Sequence, residues 1–104
     1  MGKRRALATW FDDEIGYRDN YLYDGTLWYA ELSIDYRAQD FHALGNLPYK
    51  HPLRITFNGN SAIGYKGDVG AGGPNHPVID LHKVLSDRIG FTSTGLGYVT
   101  IEDV

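Results

Sequence analysis

The sequence predicts a mostly β domain, and three observations carry that prediction. Glycine, at 13 of 104 residues, is about twice its average usage. Tyrosine, at 8, supplies most of the aromatics. Apolar runs are short, often alternating, and separated by turn residues, as half-buried strands require. Only one stretch has helical spacing.

Ala6 to Phe11 reads as the first strand, preceded by a flexible basic start over residues 1–5. Asp12 to Asp24 is polar and aromatic and reads as a long irregular loop. Leu27 to Leu32 is a second short strand. Ser33 to Leu44 is ambiguous, with Ser33 a possible cap of a short helix whose apolar spacing is poor. Leu53 to Phe57 alternates, Asn58-Gly59 is a favoured hairpin turn, and Ser61 to Lys66 returns as the partner strand. Gly67 to Pro77 holds four glycines and two prolines and reads as a loop. Val78-Ile79 is a very short strand. Asp80 to Ile89 is the one helix, with Asp80 as N-cap, Leu81, Val84 and Leu85 on one face, and Gly90 as the left-handed residue that ends it. Tyr98 to Glu102 closes the chain. Residues 1–104 form a single domain with no internal repeat.

Charge and composition exclude several classes. A net charge of −3 argues against a nucleic-acid partner, which requires a basic face. No apolar run is long enough to span a bilayer, so no membrane partner is expected. Without cysteine there is no disulfide, thiolate metal site or cysteine nucleophile. Lys3-Arg4-Arg5 resembles the start of a signal peptide, but Asp12-Asp13-Glu14 ends the apolar stretch too early. The location is left open, with a virion-associated protein, or one held in the cytoplasm before release, as the compatible expectation.

The order Leu47-Pro48, Asn58-Gly59, Gly67-Asp68-Val69-Gly70, Ile79-Asp80-Leu81-His82, helix, Ile89-Gly90-Phe91 and a last strand resembles the rare lipoprotein A-like double-psi β-barrel domain. That family is related to expansins, barwin and family 45 endoglucanases. The resemblance covers residues 47–104 well and 6–46 loosely, where Ala8-Thr9-Trp10-Phe11 is similar to the family's first strand. It implies a six-stranded double-psi β-barrel with one or two short helices. Val69 stands where the family has Arg, Ala71 where it has Pro, and Leu44 where it has His.

The resemblance also implies polysaccharide chemistry. The expected activity is a peptidoglycan-active or glycan-binding domain, in the manner of a lytic transglycosylase and as part of a phage tail or lysis apparatus. The alternative is a non-catalytic structural or adaptor barrel in a larger assembly such as a virion. Cleavage needs a carboxylic acid to protonate the glycosidic oxygen, and a carboxyl near pKa ~6 serves as both acid and subsequent base. Asp68 is the first candidate, although Asp before Gly also suits a turn. Asp80 is the second, with N-cap bonding expected to lower its pKa. Asp12 is the third, corresponding to a base in the endoglucanase branch. Tyr65, Trp10, Gly70 and His76 are the candidate substrate-binding residues, the aromatics because sugars stack on rings. The spacing of His76 and Asp68 matches no metal motif, and no cofactor is expected. The expected partner is peptidoglycan or another polysaccharide, together with other subunits of an assembly.

Overall fold

A computed structural model describes residues 2–104. Six strands close into a barrel: β1 (Arg4–Phe11), β2 (Trp28–Leu32), β3 (Pro52–Phe57), β4 (Asn60–Gly70), β5 (Ile79–His82) and β6 (Gly97–Asp103). Around the barrel the order is β1-β5-β2-β4-β3-β6. Two pairs, β1 with β5 and β2 with β4, are parallel, and the other four are antiparallel. One short helix, α1 (Lys83–Arg88), and one 3-10 turn (Tyr17–Asp19) complete the regular structure among the described residues.

Alternation decides which side chains fill the interior. Ala6, Ala8, Leu53, Ile55, Ile79, Leu81, Val99 and Ile101 form the packed centre. Leu85, Ile89 and Phe91, from α1 and the turn after it, close one end. Asn58 and Gly59 both adopt positive φ, 48° and 80°, and form the two-residue hairpin between β3 and β4. Gly90, at φ 75°, ends α1 as the sequence predicts. Its N–H bonds the Asp87 carbonyl and that of Phe91 bonds the Ser86 carbonyl, the paired bonds of a Schellman motif.

Several boundaries differ from expectation, each for a physical reason. Arg4 and Arg5 are not a flexible tail. They pair with Ile101 and Thr100 on β6, and the Arg5 guanidinium lies 4.1 Å from the centre of the Tyr98 ring. Ser33 caps no helix. Its backbone N–H bonds the Gly70 carbonyl and its hydroxyl accepts from Phe41, so it extends the β2–β4 seam. Asp80 is not an N-cap, because β5 continues through His82. The cap of α1 is His82, whose Nδ1 accepts from the Val84 N–H at 3.3 Å. Asp68 does not begin a loop, because β4 runs on to Gly70.

The β2–β4 seam holds the irregularity that matters most. Tyr29 pairs with Lys66 but Ala30 pairs with Asp68, so Gly67 is an extra residue in β4. Such a bulge shifts the alternation by one and re-aims the side chains beyond it. Without it, Asp68 would follow Lys66 onto the inner face. Only glycine fits the bulge, since a Cβ on Gly67 would lie 2.5 Å from Trp28 Cε3 and 2.8 Å from Asn20 Nδ2. Gly67→Ala is therefore expected to destabilise the fold by about 1–3 kcal/mol, as overpacking does. Chemical denaturation measures the loss; an unchanged midpoint would show that the ring gives way freely.

Beneath this seam sits a buried ion pair. Glu31, on β2, is fully buried, and Lys66 Nζ lies 2.8 Å from its Oε1. Glu31 also accepts the N–H groups of Leu44, Asn46 and Leu47 at 2.7–2.8 Å. Lys66 donates in addition to the Leu47 carbonyl at 2.6 Å. The Leu47-Pro48 segment thus stands where it does because a buried carboxylate gathers its amides.

Candidate acidic site

The site is a row of residues across four neighbouring strands. Thr9 on β1 pairs with Asp80 on β5, Asp80 with Ala30 on β2, and Ala30 with Asp68 on β4. The flanking row, Ala8, Ile79 and Glu31, faces inward, so the acidic row faces out. Two strand spacings put the Asp80 and Asp68 backbones about 9–10 Å apart. The residue between them is an alanine, which leaves room above its methyl for the two carboxylates.

Both carboxylates are half-buried, and both are harder to ionise than free aspartate. Asp80 is pushed up to about 6, chiefly by burial. The hydroxyl of Thr9, donating to Oδ1 at 2.9 Å, opposes this, while the charges of Asp68 and Asp13 add to it. Asp68 is also raised by burial. It is held back by the N–H groups of Val69 and Tyr17, of which Val69 N lies 2.8 Å from Oδ1. Because Asp80 is no helix cap, the bonding expected to acidify it is absent.

Asp80 opens onto a cleft of about 240 Å³. Its walls are Thr9, Leu32 and Leu96 with Gly72, Gly73, Pro74, Asn75 and Pro77 of the β4–β5 loop. The Gly/Pro-rich loop therefore forms one wall of the cleft.

Residues 12–24, read in the sequence as an irregular loop, form a folded flap over this face. Ile15 bridges to Tyr21, the Leu22 N–H bonds the Glu14 carbonyl, and Leu22 is fully buried as the anchor. The flap meets β4 through Gly16, where a Cβ would lie 2.5 Å from the Gly67 carbonyl and 3.2 Å from Asp68 Cβ. His82 ties down its other side. With Nδ1 accepting from Val84, the ring proton is assigned to Nε2, which faces the Asp13 carbonyl at 2.9 Å. The His82 ring is enclosed edge-on by Phe11 and Tyr23, at 5.3 and 4.6 Å between centres.

The structure joins some of the candidate residues and separates others. Asp68 and Asp80 share one row of the outer face, but Asp80 lines the 240 Å³ cleft and Asp68 does not, so the two carboxylates do not border one groove. Asp12 accepts from the Tyr23 hydroxyl, and that hydrogen bond is the chief cause that pushes Tyr23 up to about 12. The acidic neighbour whose charge reaches both Asp68 and Asp80 is Asp13. Within the acidic run of residues 12–14 no sequence signal distinguishes it. Trp10 packs against the core. Tyr65 borders a separate hollow with Asn20, Asp24, Trp28 and Lys50. His76 lies edge-on to Tyr36, at 5.8 Å, outside the Asp80 cleft. Gly70 packs against Leu32, and its carbonyl accepts from Ser33. Among the described residues no three His, Asp or Glu side chains gather as metal ligands do.

The raised pKa of Asp80 has a stability consequence with a definite sign. A folded-state pKa above the unfolded value means that the native state holds the proton more tightly. The stabilising contribution is complete below the unfolded value of 3.8 and is lost as pH rises through about 6. Wild-type stability relative to Asp80→Asn is therefore expected to fall between pH 4 and pH 6.5. Paired urea titrations across that range test this, and parallel curves would contradict it.

No protein-family model matches this chain. A comparison with curated proteins finds no match either.

Proposed function

We propose that this barrel is of the double-psi kind and that it acts on a cell-wall glycan, with Asp80 as the acid that cleaves the glycosidic bond. The observation that carries the reading is the row Asp80-Ala30-Asp68 on the outer face, with Asp80 raised to about 6 beside an open cleft. A carboxyl in that range is protonated often enough to give its proton to a leaving oxygen, and basic enough afterwards to take one back. In the transglycosylase form of the reaction, Asp80 protonates the glycosidic oxygen as the C1–O bond breaks. The resulting carboxylate then removes the proton of the sugar's own C6 hydroxyl, whose oxygen closes onto C1. Atoms balance without water, and the product is a 1,6-anhydro sugar end. Asp68, across Ala30 and outside that cleft, acts through its charge, which helps to keep the proton on Asp80. Thr9 orients Asp80.

The test is digestion of purified sacculi with mass spectrometry of the soluble products. The expected result is 1,6-anhydro-ended fragments from the wild type and none from Asp80→Asn. Reducing ends instead of anhydro ends would indicate hydrolysis. Retention on sacculi with no product from any variant would overturn cleavage and leave a binding module.

A further inference from the structure

A second cleft, of about 510 Å³, lies beyond Asp68 and is lined by neither Asp68 nor Asp80. Tyr17 and Val69, whose backbone N–H groups hold the Asp68 carboxylate, both line it. Resting on the glycan reading above, we propose that this cleft is a subsite for a sugar unit that carries a carboxylate, with Arg18 as the residue that recognises the acid.

Three independent features point there. The first is its aromatic lining. Tyr17 and Phe41 line the cleft with Tyr49, whose ring stacks on Trp28 at 6.3 Å and 15°. A flat ring backed by a second ring, as Tyr49 is by Trp28, is suited to the apolar face of a sugar. The second is a cation held ready. The Arg18 guanidinium lies 5.1 Å from the Tyr17 ring and 5.7 Å from the Tyr49 ring, and no carboxylate pairs with it among the described residues. Lys50 Nζ lies 5.5 Å from the same Tyr49 ring but outside the cleft lining, and the charges that line the cleft beside Arg18 are committed. Lys66 is paired with Glu31, and Asp40 accepts the N–H groups of Ile34 and His42. The third is backbone strain. Arg18 and Phe41 line the cleft with φ of 59° and 56°, a region that bulky side chains seldom occupy. Such residues gather at ligand clamps, where surrounding structure holds them in place. Arg18 sits at the tip of the flap, so the same element that covers Asp68 presents the cation.

A guanidinium bound by two rings offers its N–H edge to a carboxylate in a planar, two-bond contact. The test is isothermal titration in the Asp80→Asn background, where no cleavage intervenes. Its two probes are a peptide-free tetrasaccharide containing muramic acid, with its lactyl carboxylates, and chitotetraose, which has none. The acidic probe is expected to bind about tenfold more tightly, the scale of one charge-assisted contact. Adding Arg18→Gln should bring the acidic probe to the same affinity as chitotetraose in that variant, and adding Tyr49→Ala should weaken both. Equal affinities in the parent, a preference that survives Arg18→Gln, or saturable binding of neither probe would overturn the subsite. Loss of the cleavage reading is scored separately: wild-type protein that prefers the acidic probe yet releases nothing from sacculi fails as a transglycosylase and retains the subsite.

Discussion

Asp80→Asn is expected to lower the rate of glycan cleavage by about 10²–10⁴-fold, the range that a positioned general acid contributes. The substitution is nearly isosteric, keeps an acceptor for the Thr9 hydroxyl and removes the proton that the leaving oxygen needs. It also removes a half-buried carboxylate whose ionised form the site disfavours, so the variant should fold at least as well as the wild type at pH 7. Lost activity with retained stability separates a chemical role from a structural one. The wild-type rate should fall as pH rises above about 6, when Asp80 gives up its proton. Asp68→Asn is expected to shift that fall to lower pH, because the Asp68 charge is one of the causes that raise Asp80. Initial rates from sacculi across pH 4.5–8 measure both effects. Full activity in Asp80→Asn would remove Asp80 from the mechanism.

The largest expected effect on stability belongs to Glu31. Glu31→Gln should cost about 3–5 kcal/mol, as breaking a buried pair does when one charge is left behind. That is a large share of the 5–15 kcal/mol that holds typical domains together. The carboxylate serves four donors, Lys66 Nζ and the amides of Leu44, Asn46 and Leu47. An amide in its place turns an N–H group toward some of them. Lys66→Met should cost less, since Glu31 keeps its three backbone donors. The ordering of the two variants is therefore a sharper test than either alone. Because Asn46 and Leu47 also line the larger cleft, Glu31→Gln should loosen that wall, with increased amide exchange in residues 40–49. Unfolding free energies from urea titration within about 1 kcal/mol of the wild type would show that the pair is replaceable.

The bulge and the ion pair explain why the chain was only partly legible. Alternation located strands at Ala6–Phe11, Leu53–Phe57 and Tyr98–Glu102, because those runs face a core on one side and solvent on the other. Asn58-Gly59 and Gly90 were legible because positive φ leaves few residue choices. Elsewhere local signals misled. Asp80 resembled a helix cap because an aspartate stood before an apolar helical pattern, yet pairing on both edges, with Thr9 and Ala30, held it in β5. The role of Glu31 was invisible, since its four donors come from positions 13 to 35 residues further along the chain.

By itself, the sequence determined a mostly β domain, its hairpin, its helix stop and an aspartate pair twelve residues apart. Those properties follow from local preferences and from the period of apolar residues. Only the tertiary structure decided that β2 would lie between β4 and β5, with Ala30 as the shared neighbour of both acids. It alone raised Asp80, brought Asp13 rather than Asp12 to the site and set Arg18 between two tyrosines. The reason is physical: desolvation and charge coupling depend on distance through space, and closing a barrel makes neighbours of residues that the chain keeps far apart.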